Sequence, residues 1–404
     1  MSASLAAAPG HILIAGGGTG GHVFPGLAVA DALRQLASVE VWFAGTPRGI
    51  EGRVVPARGY RLEMLDVEPM TGGGPARAVK GAAVAAAATA RALKIVRSIA
   101  PRAVLSVGGY AAGPFSLAAA MLRIPIAVFE PNATVGLTNR LLVPLAKRAY
   151  VAWPEAAARF RNGTARLFGV PLRSGFAPKP YAPHGTARVL VMGGSQGAAP
   201  LNERVPEAIA RLAETVPNLE VVHQAGRDRD AAVRDAYARH GFARVTVTPF
   251  LDDVAKEISL ADVVLARSGA GTVAEISAVG RAAILVPFPH AAGDHQAKNA
   301  ESLARSGGAI ALRQEAADST RIAMELGVLF ADDAARTKMA DAARTHGRPT
   351  AAHDVARDLL ELAGIALGGP SPTNGARYTH PSGGSGQRFA DGVGGKLRAS
   401  TEVR

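Results

Sequence analysis

The sequence predicts an α/β protein made of two doubly wound halves, each a parallel sheet with helices on both faces. Three observations carry this expectation. Short β-branched runs alternate with longer stretches of helical period, the pattern of strands joined by crossover helices. Several of those runs end in glycines, where open α/β sheets place their ligand crevice. The order strand, glycines, helix occurs at His11–Gly21 and starts again at Val189–Ala198.

The strands of the first half are expected at His11–Ala15, Val39–Ala44, Ala103–Val107, Ile126–Phe129 and Arg148–Val151. Those of the second are expected at Val189–Met192, Leu219–Gln224, Val245–Thr248, Val263–Ala266 and Ala283–Val286. Each is a short apolar run rich in Val, Ile or Leu, and helical stretches lie between most of them. Between the halves, Phe176–Gly185 carries Pro178, Pro180 and Pro183 and reads as a linker. The expected domains are residues 10–172 and 173–347, then a helix at 348–366 folding back on the first domain. From residue 367 to 404 Gly, Pro and Ser dominate and apolar periodicity ends, so this segment reads as a disordered tail.

Composition narrows the function. The chain has 404 residues, of which 48% are hydrophobic, which excludes a wholly disordered protein. It has no cysteine, which excludes a disulfide scaffold, a thiolate metal site and a cysteine nucleophile. Lys and Arg number 45 against 33 Asp and Glu, a net charge of +12. That excess points to an anionic partner: nucleic acid, acidic phospholipid or a phosphorylated substrate. No apolar run approaches the ~18–20 residues that span a bilayer. The N-terminal MSASLAAAPG lacks the basic start of a signal peptide, so the expected location is cytoplasmic.

Four motifs carry chemistry. Gly16-Gly17-Gly18-Thr19-Gly20-Gly21-His22 follows the first strand. Its glycines let a ligand approach the backbone, and the next helix offers unpaired N–H groups and a positive dipole end. His22 at the start of that helix can accept a proton; the alternative is a structural histidine in a tight turn. Gly193-Gly194-Ser195-Gln196-Gly197-Ala198 holds the same place in the second half, with Ser195 either donating to a phosphate oxygen or capping the helix. Arg267-Ser268-Gly269-Ala270-Gly271-Thr272-Val273-Ala274-Glu275 opens another helix. Backbone N–H groups near Ala270–Thr272 suit a diphosphate, and the Glu275 carboxylate suits the vicinal hydroxyls of a ribose. The alternative is a capping box, Thr272-x-x-Glu275. Pro287-Phe288-Pro289-His290 and Asp294-His295-Gln296-Ala297-Lys298-Asn299-Ala300 form the fourth, where the amides of Gln296 and Asn299 suit sugar hydroxyls. Asp228-Arg229-Asp230 has the Asp-x-Asp form of metal-dependent sugar transfer but reads as ordinary first-turn acids, and no metal site is expected.

The ordered set GGGTGGH, SVGGY (Ser106–Tyr110), GGSQGA, RSGAGTVAE and PFPH…DHQAKNA resembles the MurG family of bacterial cell-wall N-acetylglucosaminyltransferases, over about Ile12 to Ala363. The resemblance implies the GT-B fold, two Rossmann-like doubly wound domains facing a central cleft. It implies an inverting, metal-independent reaction without a cofactor. GlcNAc passes from UDP-GlcNAc to the 4-hydroxyl of the N-acetylmuramoyl sugar of lipid I, giving lipid II for peptidoglycan. It places Thr19, Gly20, Gly21 and His22 beside the sugar and diphosphate, with His22 the candidate general base. Asn132, Arg173 and Ser195 are implied to contact the donor, Leu251 the uracil, and Ala270, Gly271, Thr272, Val273, Ala274 and Glu275 the diphosphate and ribose. Gln296 is implied to contact the GlcNAc hydroxyls, and Tyr110 to face the acceptor. Pro131, Val170 and Gly271 depart from residues frequent in the family, and none removes a proposed functional side chain.

The implied partners are the donor, lipid I, the anionic cytoplasmic face of the inner membrane, and other cell-wall synthesis and division proteins. Arg77, Lys80, Arg91, Lys94 and Arg97 surround Ala82–Ala88 with Leu93, Ile95 and Val96, a basic and weakly apolar helix suited to interfacial docking. A UDP-GlcNAc 2-epimerase, a galactolipid-type transferase and a nucleic-acid-binding protein are the rival readings. The last is disfavoured by 5% aromatic residues and by the absence of a nucleic-acid-binding motif.

Overall fold

The computed structural model describes residues 10–66, 75–161, 163–183, 185–194 and 196–368, with backbone alone for 75–83. Ser195, most of the expected tail, and the side chains of Arg77 and Lys80 therefore lie outside what is described.

The first half has seven strands: β1 (Gly10–Gly16), β2 (Val39–Gly45), β3 (Arg61–Met64), β4 (Ala103–Gly108), β5 (Ile126–Glu130), β6 (Arg148–Val151) and β7 (Ala165–Leu167). They form one parallel sheet in the order β3-β2-β1-β4-β5-β6-β7. Its helices are α1 (Gly20–Leu36), α2 (Glu51–Ala57), α3 (Pro75–Ile99), α4 (Ala112–Met121), α5 (Leu137–Leu142) and α6 (Pro154–Ala157). The second half has β8 (Ala187–Met192), β9 (Leu219–Gln224), β10 (Val245–Thr248), β11 (Val263–Ala266), β12 (Ala282–Leu285) and β13 (Ile310–Ala311). These are parallel in the order β10-β9-β8-β11-β12-β13. Their helices are α7 (Ala199–Ala213), α8 (Asp230–Arg239), α9 (Val254–Leu260), α10 (Ala270–Val279), α11 (His295–Arg305), α12 (Ser319–Ala331), α13 (Asp333–His346) and α14 (Ala351–Leu362).

Helices cover both faces of each sheet, so β4, β5, β11 and β12 are buried at every position. Ile12, Leu13, Ile14 and Ala15 of β1 are all fully buried, which explains a continuous apolar run rather than an alternating one. The ten expected strands all form. Three short strands were not expected: β3, β7 and β13, each at a sheet edge and each lacking a fully buried residue.

In each sheet the strand order reverses once, between β1 and β4 in the first and between β8 and β11 in the second. Ligands of doubly wound sheets bind at such switch points. All four loops at these two points carry glycines: after β1, β4, β8 and β11.

After α13 the chain returns to the first half. Val355, Ala356, Leu359 and Leu360 of α14 share a core with Leu27, Ala30 and Leu33 of α1. Tyr150 and Arg148 on β6 donate to Asp358 of α14 at 2.8 and 3.0 Å. The outgoing and returning segments touch at Gly169, where φ is +85° and an added Cβ would lie 2.6 Å from Cβ of Arg348. A larger residue there would be strained and would push the two crossings apart. The Pro-rich segment is anchored to the second half: Phe176 and Tyr181 are buried, and the Tyr181 hydroxyl donates to Asp262 (2.5 Å) and accepts from Arg336 Nε (2.7 Å). Aromatic anchors, invisible in a count of prolines, dock what reads as a linker.

Candidate active site

At the first switch point the loop after β1 lies against the loop after β4. The Gly17 N–H donates to the Gly108 carbonyl at 3.3 Å. Gly109 has φ +85°, and a Cβ on it would strike the Gly17 backbone. This contact requires glycine and sets the floor of the crevice. Thr19 is the N-cap of α1, and its carbonyl accepts from the His22 and Val23 N–H groups at 3.1 Å each. His22 is thus in the first turn, with Nδ1 3.3 Å from the Thr19 hydroxyl and its ring against Gly108. Burial holds the His22 imidazole below its ordinary 6.5; a hydrogen bond with the Gly17 backbone opposes this, His295 adds to it, and the Glu51 carboxylate opposes it. The ring is therefore neutral at pH 7 and able to accept a proton. Thr19 and Gly21 are exposed and Gly20 half-buried. Tyr110 is 59% exposed just beyond Gly109.

Behind this loop lies Glu51, which sequence reasoning did not single out. Only 1% of it is exposed, and its carboxylate accepts from Gly18 N (2.8 Å), Thr46 N (2.9 Å) and Thr46 Oγ1 (3.1 Å). A Cβ on Gly17, Gly45 or Gly49 would collide with that carboxylate. The triple glycine is thus a cradle for a buried anion as well as a face for ligand. The spacing Gly45…Gly49…Glu51 was the available signal.

The second switch point brings together α10 and the start of α11. Gly269 is the N-cap of α10, so Ala270, Gly271 and Thr272 form its first turn and their N–H groups lack helical partners. The capping-box alternative fails, because Thr272 and Glu275 both lie within the helix. Glu275 is half-buried. Burial pushes its carboxyl up to about 7, and the nearby Arg173 charge pulls the other way. Arg173 is exposed, with its guanidinium 5.8 Å from the Phe176 ring centre. Val273 is 1% exposed in the core, and Ala274 packs on the first half, so these two can offer a ligand main-chain groups only. Leu251 rests partly on the core of the second half, in the turn before α9. Gln296 accepts from the Phe288 N–H at 3.0 Å through Oε1. The helix after the GGSQGA loop begins at Ala199 with Ala198 as N-cap, and Ser195 lies outside the described residues.

Asn132 joins the two halves. It follows β5, where Glu130, 2% exposed, gathers four donors. These are Asn132 N (3.1 Å) and Nδ2 (3.2 Å) on one oxygen, and Gly136 N (2.8 Å) and Asn139 Nδ2 (3.0 Å) on the other. Sequence reasoning did not single out Glu130 either. Asn299, expected to offer its amide to sugar, is instead fully buried between the halves.

Asp230, from the Asp-x-Asp pattern, pairs with Arg234 at 2.6 Å one turn along α8. Among the described residues no group of three or more His, Asp or Glu is placed to hold a metal ion.

The chain matches the glycosyltransferase family 28 N-terminal domain over residues 12–151 and the family 28 C-terminal domain over 188–355. It is 55% identical over 357 residues to the UDP-N-acetylglucosamine–N-acetylmuramyl-(pentapeptide) pyrophosphoryl-undecaprenol N-acetylglucosamine transferase of Sorangium cellulosum, covering 87% of this chain and 88% of that one. It is 43% identical to the protein of the same name from Acidithiobacillus ferrooxidans, covering 87% and 98%. The crystal structure of Acinetobacter baumannii MurG superposes with a TM-score of 0.72 at 33% identity, covering 87% of this chain and all of that one. Two switch-point crevices built on glycine loops, on a fold and sequence shared over most of the chain, place this protein in glycosyltransferase family 28 and, within it, in the MurG family.

Proposed function

We propose that the protein transfers GlcNAc from UDP-GlcNAc to the 4-hydroxyl of N-acetylmuramic acid in lipid I, releasing UDP and forming lipid II. The observation that carries this reading is the pairing of two switch points. One has a neutral imidazole in the first helical turn after a glycine loop. The other has a helix N-terminus and a carboxylate suited to a nucleoside diphosphate.

The uracil lies against the main chain at Leu251, and the ribose hydroxyls donate to Glu275. The diphosphate sits on the N–H groups of Ala270–Thr272, with Arg173 and Ser195 supporting its charge. Asn132 and Gln296 hold the GlcNAc hydroxyls. His22 takes the proton of the acceptor hydroxyl as that oxygen attacks the anomeric carbon. The bond from that carbon to the diphosphate oxygen breaks, UDP leaves with the electron pair, and the anomeric configuration inverts. Base assistance of this kind contributes ~10²–10⁴-fold, and preorganised N–H donors stabilise the departing charge. A resident cofactor is not needed by this scheme.

The acceptor's polyprenyl tail requires a membrane-facing surface beside the first crevice. Support comes from exposed apolar side chains on the first half. Met121 at the end of α4 is 65% exposed, and Leu137 and Leu141 on α5 are 70% and 69% exposed. Arg123, Arg140 and Lys147 are exposed nearby in sequence. Thr138 of α5 donates to the Gly109 carbonyl at 3.3 Å, which joins this surface to the acceptor loop. The helix nominated from sequence contributes differently. Val96 is fully buried, and Leu93 and Ile95 pack on the same core, while Arg91, Lys94 and Arg97 face outward. In this reading α4 and α5 supply apolar contact with lipid, and α3 adds charge and the exposed Val84. Among the described residues no helix is long and apolar enough to cross a membrane. We place the enzyme as a peripheral protein on the cytoplasmic face of the inner membrane, beside the other cell-wall enzymes.

The reading is tested by UDP release. Release from UDP-GlcNAc should require lipid I and stop when the acceptor is exhausted. Release at the same rate without acceptor would overturn it.

A further inference from the structure

We propose that Asn299 is a positioning residue: it orients Asn132 toward the donor sugar only when the two halves are closed, and so couples closure to recognition of the sugar. The inference rests on the reading of Asn132 as a donor contact.

Asn299 lies one turn into α11 in the second half and is fully buried. Its Oδ1 accepts from the Ala133 N–H of the first half at 3.0 Å. Its Nδ2 donates to Asn132 Oδ1 at 3.2 Å, also in the first half, and to the Ser268 carbonyl at 3.3 Å in its own half. All three partners lie in the two loops that flank the cleft, after β5 and after β11. No other amide among the described residues bridges these loops.

The orientation of both amides follows from groups that cannot change role. A main-chain N–H only donates, so Ala133 fixes Asn299 Oδ1. A main-chain carbonyl only accepts, so Ser268 fixes Asn299 Nδ2. The Glu130 oxygen that faces Asn132 takes two N–H groups, so Asn132 turns its Nδ2 there and its Oδ1 toward Asn299. Rotating either amide by half a turn would set oxygen against oxygen at one end. A single arrangement therefore satisfies Glu130, Asn132, Asn299, Ala133 and Ser268 together. In it, one hydrogen of Asn132 Nδ2 and one lone pair of its Oδ1 remain for a ligand. When the halves separate, the Asn299 contacts with Ala133 and Asn132 are lost, and Asn132 keeps only its Glu130 anchor.

UDP alone is held by the second half and should not sense this link, whereas UDP-GlcNAc should. The experiment measures kcat and KM for UDP-GlcNAc with lipid I, and calorimetric Kd for UDP, in Asn132→Ala, Asn299→Ala, the double variant and Asn299→Asp. Asn299→Ala should raise KM for UDP-GlcNAc roughly five- to tenfold, the scale of one or two lost hydrogen bonds, with Kd for UDP within twofold. In the Asn132→Ala background the same substitution should change KM by less than twofold, because its effect passes through Asn132. Asn299→Asp keeps the shape and the acceptor for Ala133, yet sets an oxygen against Asn132 and Ser268. It should be at least as damaging as Ala while remaining folded by thermal unfolding and UDP binding. Additive effects of the two alanine substitutions would overturn the inference. So would a rise in Kd for UDP parallel to that in KM, or an Asn299→Asp variant with wild-type KM. If Asn132→Ala itself leaves KM unchanged, the donor-contact reading fails and this inference fails with it.

Discussion

The Glu275 carboxyl makes donor binding depend on pH in a way that can be worked out from its surroundings. Burial pushes it up to about 7 in the free protein, against 4.5 ordinarily, and only the Arg173 charge opposes the shift. Ribose hydroxyls can donate only to an ionised carboxylate on both oxygens, so binding favours the charged form and draws the pKa down. UDP-GlcNAc affinity should therefore be flat above about pH 7 and fall about tenfold for each pH unit below it. At pH 5.5 that is about thirtyfold weaker than the plateau. The donor's diphosphate is a diester that does not titrate in this range, and burial holds the His22 imidazole below its ordinary 6.5. Stability moves with its own sign. A carboxyl raised in the folded state binds more protons than in the unfolded chain between pH 4.5 and 7. The free protein thus loses stability as pH rises through that window, by on the order of 3 kcal/mol in all. Glu275→Gln should remove both dependences, binding the donor more weakly at pH 8 while raising the unfolding temperature there. Calorimetric titration of UDP-GlcNAc without acceptor from pH 5.5 to 8.5 is the assay. A wild-type Kd constant across pH 5.5–7.5 would refute the assignment of Glu275 to the ribose.

Other consequences follow from individual contacts. His22→Ala should lower turnover ~10²–10⁴-fold while leaving the Kd for UDP-GlcNAc within a few fold, and near-normal turnover with lipid I would remove His22 as the base. Glu51→Ala strands the Gly18 and Thr46 N–H groups and opens a cavity behind the glycine loop. It should cost about 2–4 kcal/mol by denaturant unfolding, and Glu51→Gln should recover part of that loss. Paired substitutions Leu137→Asp and Leu141→Asp, on the exposed side of α5, should abolish flotation with anionic vesicles without lowering the unfolding temperature. Unchanged flotation would move the membrane surface elsewhere.

Much of this was legible in the chain because buried parallel strands carry an unmistakable signature. β1, β4, β8 and β11 each carry a buried apolar run with glycines at or just after its end, so both switch points can be read directly. The edge strands β3, β7 and β13 were not legible, since they are short, half-exposed and lack the apolar run. Among site residues, His22 and Glu275 announce themselves by their place after a glycine loop. Glu130 does not, and Glu51 does so only through the flanking Gly45 and Gly49: the importance of both lies in N–H donors that only the folded loops turn onto them. Asn299 was noticed but given the sugar rather than Asn132, because an amide suits either partner and only burial separates the two. The exposed apolar side chains of the first half were not legible for a related reason. Apolar residues on α3 satisfy the core, and exposure of Leu137 and Leu141 depends on where α5 sits.

The most direct test of the central claim is the identity of the product formed from UDP-GlcNAc and lipid I. Mass spectrometry and nuclear magnetic resonance of the lipid fraction should show GlcNAc joined β-1,4 to N-acetylmuramic acid on the undecaprenyl diphosphate. An α-linked sugar, transfer to another hydroxyl, or 2-epimerised UDP-sugar with an unmodified lipid would contradict it.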